Sequence, residues 1–148
     1  MRDSRGWPLW GLSFDAWIYH PQLPQPNVRV KIGGLNSRLH GFDFIDRALP
    51  PSSEELAQAW KPYVDTCIEA FGPARSMFES NFPPDKCGCS ARVLWNAFKR
   101  LVGAWSESER AALFAETAIR TYRLNLELMR DANEKFARVV AAKHGVKP

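Results

Sequence analysis

Two short β-forming runs flank one long helical run, and that order is what most constrains the fold. Val28-Arg29-Val30-Lys31-Ile32 alternates apolar and basic residues, with β-branched side chains at the apolar places. Pro26-Asn27 precedes it and Gly33-Gly34 follows it, so turn residues bound the strand on both sides. Ser76-Met77-Phe78-Glu79-Ser80 reads as a second strand, left abruptly at Asn81-Phe82-Pro83-Pro84. Between them, Ser52-Ser53-Glu54-Glu55 fits a capping box that opens a helix. Leu56, Trp60, Val64, Cys67 and Phe71 then recur at helical spacing and form one apolar stripe. Pro62 is expected to kink or restart this helix, and Gly72-Pro73 to end it. Strand, helix and strand make a crossover unit whose two strands run parallel. A parallel sheet is normally covered on both faces, and two strands are too few for a self-sufficient one.

The remainder reads as helical. Residues 35–51 form a long loop ending at Pro50-Pro51. Ser90 caps a second helix with Val93, Leu94, Ala97, Phe98, Leu101 and Val102 on one side, and Gly103 is its expected stop. Ser106-Glu107-Ser108-Glu109 is a second capping box, opening a helix through Phe114, Ala118, Ile119 and Tyr122. The tail over 125–148 favours helix but shows no strong cap. Residues 1–25 mix Trp7, Trp10 and Trp17 with Pro8, Pro21 and Pro24, and read as irregular. The whole of 1–148 reads as one region.

Length and charge narrow the function classes. A chain of 148 residues is well short of the about 250 that a (β/α)8 barrel typically needs. Net charge is +4, with the excess in the second half, where residues 75–148 carry thirteen Lys/Arg against eight Asp/Glu. No block of five like charges occurs, so nucleic acid is not an expected partner. No stretch approaches the ~20 apolar residues of a membrane span, so a membrane is not one either. Three cysteines make no even framework, which fits reduced thiols and a cytoplasmic location. Cys87-Gly88-Cys89 lacks the second separated pair of a structural zinc site. Gly33-Gly34 is not followed by a phosphate-loop pattern.

Several separated blocks carry a resemblance. They are Ile68-Glu69-Ala70-Phe71-Gly72-Pro73-Ala74-Arg75, then Ser76-Met77-Phe78-Glu79-Ser80-Asn81-Phe82-Pro83, then Asp85-Lys86. Leu94-Trp95-Asn96-Ala97-Phe98-Lys99-Arg100, Glu109-Arg110-Ala111-Ala112-Leu113-Phe114, Thr117-Ala118 and Tyr122-Arg123-Leu124 follow, and Pro26 to Leu35 lies upstream. Residues 26–124 thus resemble the C-terminal end of the amidohydrolase-related family, metal-dependent hydrolases built as TIM barrels. The resemblance implies an α/β fold, a partial TIM barrel of the last two βα units with additional C-terminal helices. Val28–Ile32 would be barrel strand seven and Ser76–Ser80 strand eight.

In such barrels the functional residues sit at the C-terminal ends of strands. The family ends strand eight in an Asp that binds the metal or moves a proton; the matching residue here is Asn81. Asp85 lies four residues on and could supply a carboxylate, so Asn81 and Asp85 are the catalytic candidates. Lys31, Arg38 and His40 are the candidates for substrate contact. No metal ligands are assigned. The family's divalent metal is held by a His-x-His or Glu-x-His and further histidines, whereas His20, His40 and His144 stand far apart. The implied function is the C-terminal part of a hydrolase for a small ester, lactone or amide, or of a related decarboxylase, inactive alone and acting on its small-molecule substrate only when completed. The alternative is a non-catalytic module that associates through exposed strand edges with a companion chain or with itself.

Overall fold

The computed structural model describes residues 27–36, 41–131, 134, 135 and 138. The irregular reading of residues 1–25, Arg38 and His40 lie outside the described residues. The described chain divides into two units, one ending at Thr117 and one beginning at Ala118.

In the first unit, strand β1 (Val30–Ile32) is followed by a single turn of 3-10 helix at Phe44–Asp46, helix α1 (Ser53–Phe71) and strand β2 (Ser76–Phe78). Helix α2 (Ala91–Leu101), helix α3 (Glu107–Ala111) and a π-helical turn (Ala112–Glu116) complete it. β1 and β2 pair in parallel, with Val30 opposite Ser76, Lys31 opposite Met77 and Ile32 opposite Phe78. The expected crossover is therefore present. Each strand is three residues long, shorter than the five-residue runs suggested, because the chain turns out of the ladder beyond Glu79, whose N–H donates to Ile32 O at 3.0 Å.

Helix α1 begins as its sequence predicts. Ser52 Oγ accepts from Glu55 N at 3.2 Å, and Glu55 accepts from Ser52 N at 2.8 Å. Pro62 does not restart it: the helix runs unbroken to Phe71, where Gly72 and Pro73 end it. All five residues of its stripe are buried. α1 packs chiefly on α2, which buries Leu94, Ala97 and Phe98. Phe98 is the junction of the core. Its ring stacks on Phe78 of β2 at 4.3 Å between centroids, and Trp60 of α1 lies at 5.7 Å. Trp95 and Phe114 extend the aromatic cluster, with Phe78 to Phe114 at 5.1 Å.

The third helical run departs from the expected single helix. Ser106 and Glu109 form their capping box, but one π turn intervenes before helix α4 (Thr117–Tyr122). A π turn holds more residues than an α turn, so it rotates the buried face. Leu113 is fully buried and Phe114 only partly so, and Thr117 Oγ1 donates to Pro73 O at 3.3 Å. In the second unit, the chain after Tyr122 passes through Arg123 at φ 52 and resumes as helix at residue 126. Asn125 supplies the cap missed in the sequence, its Oδ1 accepting from Leu128 N at 3.0 Å. Among the described residues no helix is long and apolar enough to cross a membrane.

Packing, capping and burial each lead to a measurable outcome. Phe98→Ala should cost about 3–5 kcal/mol, read from the denaturant midpoint. The capping carboxyls of Glu55 and Glu109 are held below their ordinary pKa by Ser52 and Ser106. Their stabilisation should therefore be present above the unfolded-state pKa and fade as pH falls through the lower folded-state values, and Glu55→Gln should flatten that acid limb in a circular-dichroism titration. Burial pushes the Cys67 thiol up to about 12, while Cys87 is exposed. A thiol reagent at about pH 8 should modify Cys87 promptly and reach Cys67 only after unfolding.

Candidate site at the strand ends

Parallel pairing brings the C-terminal ends of β1 and β2 to the same edge of the sheet. Gly33–Asn36 leaves one strand and Glu79–Cys89 leaves the other, and the two segments interlock. Gly33 passes so close to β2 that a methyl in place of its hydrogen would run into Cγ and the carbonyl oxygen of Glu79. Asn81 follows with φ at 48, the left-handed region that asparagine tolerates better than most residues. A 3-10 turn over Pro84–Cys87 then folds Asp85 back beneath it, the Asp85 N–H donating to Asn81 O at 3.1 Å.

Asp85 is the centre of this arrangement and only 2% exposed. Its Oδ1 accepts from Asn81 Nδ2 at 2.7 Å, and its Oδ2 accepts from the Asn36 N–H at 3.4 Å. Its carbonyl oxygen accepts from Gly88 N at 3.1 Å, Cys89 N at 3.3 Å and Asn36 Nδ2 at 3.4 Å. A buried carboxylate is tolerable when N–H donors replace its hydration, and each of its oxygens has one. Asn36 is 1% exposed and also donates from Nδ2 to Cys89 Sγ at 3.0 Å. Burial holds the Cys89 thiol pKa above its ordinary value, against the lowering by this hydrogen bond.

Along β1, Lys31 alternates with the core residues Val30 and Ile32, and its ammonium forms an ion pair with Glu79. Lys31 is thus engaged by an acid that the sequence did not single out.

The two catalytic candidates, Asn81 and Asp85, are brought into direct contact. Glu79 is the member that sequence reasoning missed, while Asn36 falls within Gly33–Asn36, one of the two strand ends where a barrel places functional residues, without being singled out there. The parity of strand β2 was the available signal for Glu79, two places beyond Met77 opposite Lys31. Nothing local in the sequence singles out Asn36. Among the described residues no three His, Cys, Asp or Glu side chains gather as a metal-ligand group. Asp85 spends both oxygens on protein donors. The described residues therefore do not fit a metal centre by themselves.

A profile of the amidohydrolase family matches residues 9–124. The uncharacterized protein y4mH of Sinorhizobium fredii is 41% identical over 99 residues, which cover 67% of this chain and 29% of that protein. An amidohydrolase from Burkholderia multivorans, solved once with bound HEPES and once with bound zinc, matches with a TM-score of 0.59 and 27% identity. The match covers 78% of this chain and 37% of that one. The chain spans about a third of the length of these relatives. Matched over most of its length by the family profile, with the same family's fold in its solved neighbour, this chain belongs to the amidohydrolase family.

Proposed function

We propose that the chain supplies the last two βα units of an amidohydrolase-type barrel, and that its strand-end cluster forms part of a site for a small ester, lactone or amide. A related decarboxylation is the neighbouring chemistry. The observation that carries this reading is the convergence of Asn36, Asn81 and Asp85 at the C-terminal ends of two parallel strands. That edge is where α/β barrels place their chemistry. The Burkholderia relative binds zinc, and a divalent metal is the cofactor this reading implies for a completed site. Most of its ligands would come from elsewhere than the described residues, since these gather no ligand group.

The roles follow from the hydrogen bonding. Asn81 gives an N–H to Asp85, which leaves its Oδ1 as the acceptor for a water or a substrate hydroxyl. An amide oxygen orients such a group but does not take its proton. Asp85 has the basicity, yet it is buried and committed to Asn81 and Asn36, so its role is to hold Asn81. Lys31, paired with Glu79, meets a substrate carboxylate only by giving up that partner. Arg38 and His40, which follow β1 in sequence and lie outside the described residues, remain candidates for substrate contact. All three cysteines are free thiols.

A second reading rests on the sheet. Among the described residues the sheet has two parallel strands of three residues each, a sparse base for a barrel-type fold. Association with a companion chain that carries further strands, or with a second copy, would extend it.

The isolated chain should show no turnover of ester or lactone substrates and no stoichiometric metal by elemental analysis after dialysis against zinc. Stoichiometric metal with turnover would sink the claim that the chain is inactive alone. Size-exclusion chromatography separates the second reading: association is expected if the sheet recruits further strands, and a stable monomer with cooperative unfolding would count against it.

A further inference from the structure

Asn36 has a combination that packing alone does not account for. It is 1% exposed, and its Oδ1 has no hydrogen-bond partner among the described residues. A buried acceptor without a donor costs about 1–3 kcal/mol, so a leucine of similar size would suit a purely structural place better. Its Nδ2, by contrast, donates both to Asp85 O and to Cys89 Sγ. The side chain is thus fixed by its donor end. Its position is also tight: a methyl on Gly88 would approach Asn36 Cγ to 3.0 Å, so the residue has little room to turn.

The hydrogen bonds run in series from one strand exit to the other. The Asn36 amide group holds the main chain of Asp85, and the Asn36 backbone N–H holds its carboxylate Oδ2. The other carboxylate oxygen, Oδ1, holds Asn81 Nδ2. We propose that Asn36 is a positioning residue of the strand-end site, which sets the direction of the Asn81 amide by acting through Asp85. The inference rests on the reading of Asn81 as a site residue, but the arrangement it describes is internal to this chain. Rotating Asn81 by half a turn about its amide would present a second acceptor to the Asp85 carboxylate and a donor to the site. The series of hydrogen bonds prevents this, so the site offers an acceptor and selects a donor group on its ligand.

The chain contains six asparagines, so a sample labelled with 15N at asparagine gives a small set of side-chain NH2 pairs. In the unsubstituted chain the Asn81 pair should show two well-separated proton shifts and slow exchange with water. Asn36→Leu keeps the volume and removes both side-chain N–H donors. It should collapse the Asn81 shift separation and speed its exchange by about tenfold or more, with the Asn96 and Asn125 pairs unmoved. Asp85→Ala should produce the same change at Asn81. Asn36→Ser, which restores a donor, should recover part of the separation.

If Asn36→Leu folds, judged by unchanged near-ultraviolet dichroism of the Trp60–Phe98 core, and Asn81 is unaffected, the positioning role is wrong. If Asn36→Leu does not fold, Asn36→Ser decides. An Asn81 pair there with the full separation and slow exchange of the unsubstituted chain, despite the missing Asn36 amide, likewise overturns the role. The measurement needs no substrate, metal or companion chain. It fails or succeeds independently of the activity assay that tests the proposed function.

Discussion

A parallel pair of strands cannot be joined by a tight turn, because the chain must first travel back along the full length of the strand it has left. That constraint organises the first unit. The return path is α1, and its length leaves room for one continuous apolar stripe from Leu56 to Phe71. The stripe covers the sheet residues Val30, Ile32 and Phe78, and α2 fills the remaining side through Phe98. The same parallel sense delivers both strand exits to one edge. Asn36 and Asp85, 49 residues apart in sequence, become hydrogen-bond partners for that reason. An antiparallel pair would have put the two exits at opposite ends, and the cluster would not exist.

The cluster also shows how one buried charge dictates its surroundings. Asp85 is excluded from water, so the chain must present N–H groups to it. The backbone supplies one from Asn36, and the Asn81 side chain supplies another. An aspartate at position 81, as the resemblance to the wider family would place there, would set two carboxylates against each other across this contact. Asn81 and Asp85 are therefore compatible neighbours: a neutral amide at the strand end donates to the buried acid.

The elements were legible in the sequence where the signal was local. Ser52 with Glu55 and Ser106 with Glu109 form the boxes their spacing announces, and the α1 stripe is buried as its period requires. Pro62 misled because its effect depends on what surrounds it. The helix continues through it: proline removes only the N–H that would reach Gln58 O, and Pro62 O itself also accepts from the Thr66 Oγ1 hydroxyl at 2.7 Å. The π turn at Ala112–Glu116 was invisible because residues 107–122 suit an ordinary helix, and only packing selects the extra residue. Asn125 was overlooked as a cap because no acidic residue follows it at the third place; its hydrogen bond from Leu128 N suffices. Asn81 and Asp85 lie within five residues of each other, so their contact is one a local reading can anticipate. Glu79 follows from strand parity once the register with β1 is known, whereas the Asn36 contact depends on long-range pairing that no local pattern encodes.

Charge is presented unevenly across the sheet end. Lys31 and Glu79 form an exposed ion pair, while the buried Asp85 carboxylate is met by the N–H dipoles of Asn36 and Asn81. An exposed Lys–Glu pair contributes little to stability, whereas removing a donor from the buried network would leave a carboxylate without its partner. The ion pair of Lys31 and Glu79 can open at little cost, whereas the Asn81 amide is fixed by its bond to Asp85 Oδ1. The sheet end thus has one adaptable part and one fixed part, and the fixed part is held by the hydrogen bonds of Asp85 and Asn36.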